Sequence, residues 1–189
     1  FDYRTHPLAI GHPNPVFSWE LESGGRNIFQ SAYQILADTS KEALKNNRGS
    51  IWNTGKINSE KAVNINYEGE GLIPSTTYFW KVKVWDQAGN SSPYSEIYSF
   101  ETGLMEEDHW QGTWISNDEE VPQNPEEFYN PDPNRLFRKE LNLDKPIAQA
   151  RLYIAGLGYY EPYLNGQKVG IHVLDPGRTN FRNLPLYRT

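Results

Sequence analysis

The residues whose types could do chemistry are few in this chain, and their spacing is poor for it. There is no cysteine, which excludes thiol catalysis, disulfides and Cys-based zinc sites. His6, His12, His109 and His172 are scattered, with no H-x-x-x-H spacing and no serine partner in a telling context. Glu161 lies among aromatics ahead of Pro162, and Asp175 sits in a Pro–Gly turn. Nothing in their spacing proposes two carboxyls for general acid–base work. Residues 106–134 hold nine acids and no Lys or Arg, and the acids clustered in 116–134 raise the question of calcium. The D-x-[DN]-x-[DN]-G pattern is missing and prolines interrupt the run, so a solvated loop is preferred over a metal site. The densest concentration of ligand-binding types is "ARLYIAGLGYYEPYLNGQKVG" (150–170). There Tyr159, Tyr160, Tyr163 and Asn165 combine flat apolar faces with hydrogen-bonding groups, as carbohydrate sites do. Against this stands a packing reading, preferred here, in which alternate tyrosines fill a sandwich core and the others shield its surface. No catalytic, cofactor or metal position is assigned, and the ligand-binding residues stay undecided.

The elements that must position these residues are strands. Aromatics make up 14% of 189 residues, with 6 Trp and 12 Tyr, and 13 Pro and 15 Gly punctuate the chain. That composition, with few helix-period runs, predicts an all-β protein of two domains of about 100 residues each. No segment approaches the roughly 18 apolar residues of a membrane span. The net charge of −6 is segregated: −2 over 1–104, −9 over 106–134 and +5 over 135–189. An acidic chain without a basic cluster argues against a nucleic-acid partner.

In "LIPSTTYFWKVKVWDQAGNSSPYSEIYSFET" (72–102), Tyr78, Trp80, Val82 and Val84 alternate with Phe79, Lys81, Lys83 and Trp85. This is the period of a strand. A turn over Asp86–Pro93 and a return strand in "YSEIYSFET" complete a hairpin. "VFSWEL" (16–21), "SAYQILAD" (31–38) and "AVNINY" (62–67) are further strands, and "KEALKNN" (41–47) predicts one or two helical turns. Leu72, Pro74, Thr76, Tyr78, Val82, Val84, Asp86, Gly89, Ser91 and Ser95 resemble the later half of a fibronectin type III domain. Tyr78 would then supply the tyrosine corner, its hydroxyl hydrogen-bonded to backbone. Aromatics alternating on a strand are usually core, so this reading is preferred over ligand stacking by Tyr78 and Trp80.

A composition shift near Gly103–Asp108 divides the chain into 1–104, a fibronectin type III-like sandwich, and 105–189, the opening of a jelly-roll-like β-sandwich. Residues 116–134, with four prolines, form a long exposed loop. "RLFRKELNL" (135–143) has one apolar face and is expected as a strand. "ARLYIAGL" and "YYEPYLNG" follow as strands, with Asn165–Gly166 a strong hairpin signal. Gly156 and Gly158 suggest a bend or a close approach. The second domain has room for four or five of about eight strands, so it is expected to be cut short. Exposed edges would then favour a homodimer or strand exchange. The chain opens on Phe1 with no signal peptide in view, which reads as processing or trimming.

The order "P.FSWEL" (Pro15 to Leu21), "IWNTGKI" (51–57), "TTYFWKVKVWDQAGNSSPYSEIYSFETGL", "WQGTWI", "LFRKELNL", the 150–170 stretch and "LDPGRTNFRNLPLYRT" resembles the N-terminal region of bacterial α-L-rhamnosidases. These are inverting glycoside hydrolases built around an (α/α)6 barrel. The resemblance covers essentially the whole chain. It implies a non-catalytic β fragment that scaffolds a downstream barrel of the same polypeptide, which removes α-L-rhamnosyl groups from glycosides. The two catalytic acids would lie in that barrel, and none of their positions falls within 1–189. The parent would be an enzyme, and this chain alone would not. No cofactor is implied. Export to the periplasm or medium is favoured over the cytoplasm. The rival is a free-standing carbohydrate-binding or adhesion protein, and a third reading is a module that binds a protein partner.

Overall fold

The computed structural model describes residues 5–117, 122–131 and 134–177, with the backbone of Tyr187 and Arg188. It is nearly all β. Strand β1 (Val16–Phe17) comes first, then β2 (Gln30–Asp38), helix α1 (Lys41–Lys45), β3 (Trp52–Asn53), β4 (Ile57–Asn58), β5 (Ile65–Asn66), β6 (Thr77–Asp86) and β7 (Tyr98–Glu101). The larger sheet runs β3-β2-β6-β7, with β4 also on β2, and β1 pairs β5 in a second, two-stranded sheet. Every one of these pairings is antiparallel. This is the sandwich that the alternation in 77–86 implies.

Tyr78, Trp80 and Val82 of β6 point inward and are buried, together with Ile35 and Ala37 of β2 and Phe100 of β7. Phe17 and Ile65 close the core from the smaller sheet. Phe17 is fully buried and its ring meets Trp52, Tyr67, Trp80 and Phe100 at centroid distances of 5.2, 6.3, 4.8 and 6.0 Å. Tyr78 makes the expected corner: its hydroxyl oxygen accepts the Ile73 amide at 2.8 Å while its ring stacks on Phe100. The 86–93 turn also forms as read. Asp86 Oδ1 accepts the amides of Ala88 and Asn90, and Gly89 sits at φ 86°.

Lys81, on the other face of β6, is buried as well. It is 5% exposed, with Nζ donating to the Leu44 carbonyl and to Asn47 Oδ1. The cause is α1, which packs against β6 and presents the Leu44 carbonyl, which also accepts the Asn47 amide, to the ammonium at the negative end of the helix. Burial, and secondarily Lys83, hold the Lys81 pKa below its usual value.

The second half forms less sheet than its pattern predicts. Leu136, Phe137, Leu141 and Leu143 are exposed and 134–143 is not in a strand. Among the described residues no strand lies beside the segment to pair with it or cover its apolar face. The strands that do form are β8 (Ile154–Ala155), paired with β11 (Tyr187–Arg188), and the hairpin β9 (Tyr163–Leu164) to β10 (Gln167–Lys168). Its turn has φ 51° at Asn165 and 80° at Gly166, the double positive φ that two-residue hairpins require. Parts of the acidic loop (118–121, 132–133) and of the final stretch (178–186, 189) lie outside the described residues. The described remainder of that loop is exposed around a 3₁₀ turn at Pro125–Tyr129.

Replacing Tyr78 by Phe leaves the Ile73 amide without its acceptor, and urea unfolding should show a loss of about 1–3 kcal/mol. Asp38 supplies a pH signature. Burial raises its carboxyl, but the Ser50 hydroxyl and the amides of Ser50, Ser40 and Thr39 outweigh burial and hold it below the usual 3.8. A depressed folded pKa means the unfolded chain binds the proton first. The stability that Asp38 contributes is therefore complete above about pH 4 and lost as pH falls through the folded pKa. Asp38→Asn should flatten that acid limb in thermal melts taken across the range.

Candidate functional site

The end of β7 delivers Glu101 to the place where the two halves of the chain meet. Its side chain is 3% exposed and accepts a hydrogen bond from Thr77 Oγ1 at 3.1 Å. From fifty residues downstream, Arg151 reaches back with Nε to Oε1 at 2.5 Å and Nη2 to Oε2 at 2.7 Å. This two-point fork fixes orientation as well as charge. Gln149 Nε2 adds a longer contact at 3.4 Å, and Tyr153 OH meets Ser75 Oγ at 2.9 Å. Hydrogen bonding to Glu101 pushes the Arg151 pKa above its already high value. The seam is thus a polar clasp: a buried carboxylate on the sandwich, and a cation and a phenol on the segment leading to β8. None of its members was singled out in the sequence. Partners fifty residues apart leave no local pattern, and Glu101 shows only as one acid at the end of a strand.

The aromatic stretch divides. Tyr160 turns inward, its amide on the Asp175 carbonyl at 2.9 Å and its hydroxyl on the Ile154 carbonyl at 3.3 Å. A Cβ on Gly156 would come within 2.6 Å of the Tyr160 ring, so this glycine admits the close approach its position suggested. Gly158 has open space around it. Tyr159 and Tyr163 are 64% and 59% exposed and lie on the surface side of that alternation. Lys168 Nζ and Tyr163 OH both donate to Glu161, at 2.5 and 3.0 Å. These bonds, Lys168 first, hold the Glu161 carboxyl below its usual range. A general acid needs the opposite shift.

The histidines also take structural contacts. His6 Nδ1 accepts the Ser99 amide at 3.1 Å and its ring lies 5.5 Å from Tyr98. His109 Nδ1 accepts the Glu106 amide at 3.2 Å, in a 3₁₀ turn that gathers Glu106, Asp108 and His109. That cluster lies at the exposed start of the acidic region, outside the 116–134 loop where cation binding was weighed, and its Nδ1 lone pair is already used. The chemistry this arrangement supports is positioning and surface binding.

Two family models match the chain: "Rha78A-like, N-terminal immunoglobulin domain" over residues 1–106 and "Alpha-L-rhamnosidase N-terminal domain" over 145–189. An α-L-rhamnosidase of Formosa agariphila is 37% identical over 198 residues, covering 97% of this chain and 21% of that protein. The solved structure of an α-L-rhamnosidase from Dictyoglumus thermophilum is 42% identical, with a TM-score of 0.87, over 99% of this chain and 22% of its own. The α-L-rhamnosidase of Streptomyces avermitilis, solved in complex with L-rhamnose, is 37% identical at a TM-score of 0.58, over 61% of this chain and 11% of its own. The chain therefore spans about a fifth of the length of the curated relatives it matches. An immunoglobulin-like sandwich and a fibronectin type III sandwich share one architecture, so the first match fits the fold described above.

Arg151→Met would leave the Glu101 carboxylate buried with only the Thr77 hydroxyl and the Gln149 amide. The guanidinium is one-third exposed, so the expected loss is about 1–3 kcal/mol, below that of a fully buried pair. Amide hydrogen exchange should rise locally over 149–155 while β2 and β6 stay protected. Unchanged exchange there would mean that this pair does not hold the seam.

Proposed function

The chain belongs to the α-L-rhamnosidase family, as its N-terminal region, and on that premise we propose that it is the non-catalytic front of an enzyme that hydrolyses terminal α-L-rhamnosyl groups. The observation that carries this reading is the coverage: nearly all of the chain aligns with about a fifth of each curated relative. The relatives' remaining length leaves room for a downstream catalytic domain in the same polypeptide. In this reading residues 1–104 form one sandwich and 105–189 begin a second β domain, and both support a catalytic barrel beyond. The Glu101–Arg151 clasp supports a mechanical role, because a fork of two charge-assisted hydrogen bonds resists rotation between the parts it joins. The substrate is a rhamnosylated glycoside, cleaved with inversion by two carboxyls of the barrel.

The exposed Tyr159 and Tyr163 favour a second reading, a carbohydrate-binding module that works without a barrel. One experiment separates them. The polypeptide of the complete reading frame should release rhamnose from an aryl α-L-rhamnoside, with β-L-rhamnose the first anomer seen by NMR. Residues 1–189 alone should release none. If the complete polypeptide is inactive on rhamnosides and the 189-residue chain binds neutral glycans unaided, the enzyme reading fails.

A further inference from the structure

The outer face of the larger sheet carries a run of alternating cations and rings that neither the scaffold role nor the clasp uses. Lys81 and Lys83 project from β6, and Tyr94 comes from the segment running beside it. Lys81 Nζ lies 4.3 Å from the Tyr94 ring centroid, and Lys83 Nζ lies 4.8 Å from both Tyr94 and Trp85. Lys56, ahead of β4, completes the run at 4.8 Å from Trp85. Amides order the same face: Tyr94 OH donates to Gln34 Oε1 at 3.0 Å, and Gln34 Nε2 donates to Asn53 Oδ1 at 2.9 Å.

Among the described residues, none of these three lysines forms an ion pair with a carboxylate. Lys81 is held by neutral acceptors and cannot leave the face, because its ammonium caps the end of α1. The result is a positive field beside partly exposed aromatic rings, set before any ligand arrives. Like charges gathered without counter-ions are offset when an anion binds.

We propose that this face, built on Lys56, Lys83, Trp85 and Tyr94, binds an acidic oligosaccharide, its carboxylates on the lysines and its sugar rings along the aromatics. The rings and ordered amides favour a saccharide over an acidic peptide, and that choice rests on the glycoside-hydrolase reading above. An extended sheet face suits a chain of several sugars better than a single one. In this role the N-terminal sandwich would hold charged glycan near the enzyme.

The test is titration calorimetry of the full chain with tetragalacturonate, with maltotetraose and poly-L-glutamate as controls. Tetragalacturonate should bind, should weaken as salt rises, and should exceed both controls. Losing one exposed and one half-buried contact in Lys56→Gln/Lys83→Gln should weaken it by about tenfold. Lys81 stays unchanged so that α1 keeps its cap, and an unaltered melting curve checks that the variant folds. Absent binding, equal affinity in the variant, or equal binding of poly-L-glutamate would each overturn the proposal, the last by assigning an acidic protein segment instead. Release of rhamnose from a neutral aryl rhamnoside by the complete polypeptide does not involve this face. Failure here therefore leaves the enzyme reading intact, and loss of that reading is seen separately.

Discussion

A sandwich whose second sheet is two strands of two residues has little hydrogen bonding with which to hold itself closed, and the Phe17 ring makes up the difference. It is buried completely and touches four other aromatic rings, Trp52, Trp80 and Phe100 of the larger sheet and Tyr67 just past β5. Edge and tilted contacts of this kind add to the area buried. The register of β1 follows, since a slip of one residue would send Phe17 to solvent and bring Val16 into its place. The backbone bonds on either side, Tyr67 amide to Pro15 carbonyl and Trp19 amide to Ala62 carbonyl, then have only one way to form. Tyr78 works from the opposite wall, and its corner ties the approach to β6 onto the strand itself.

The order imposed by that core is what makes Glu101 useful. A carboxylate at the end of β7 is buried because β7 is paired along its length with β6 and because residues 7–10 cover its other side, through the Glu101 amide on the Pro7 carbonyl and the Ile10 amide on the Glu101 carbonyl. Held there, it needs a cation, and Arg151 supplies one from the other half. A core of rings thus becomes a fixed point of attachment. The same framework fixes the lysines on its outer face, Lys81 by the Leu44 carbonyl of α1 and the Asn47 side chain, and Lys83 by the register of β6. Two polar features with different roles therefore stand on the two-residue period of one strand pair.

Much of the first domain was legible. The alternation of Tyr78, Trp80 and Val82 with polar neighbours reports burial on one face directly, and Gly89 and Asn165–Gly166 report turns that few other residues tolerate. Family membership was legible too, in the order of the motifs from Pro15 onward. Less was legible in the second half. Leu136, Phe137, Leu141 and Leu143 alternate as a strand should, yet they lie exposed. A pattern states which face wants burial and cannot supply the neighbour that buries it.

The sequence by itself determined the all-β class, the hairpins, the tyrosine corner and the kinship with α-L-rhamnosidases, because each rests on residues close together or on motif order. Only the tertiary structure decided that Glu101 meets Arg151, that Lys81 is buried beneath α1, and that Tyr160 packs inward while Tyr159 and Tyr163 face out. Those outcomes depend on which distant segment arrives at a given surface, and chain closure over tens of residues leaves no trace in local spacing.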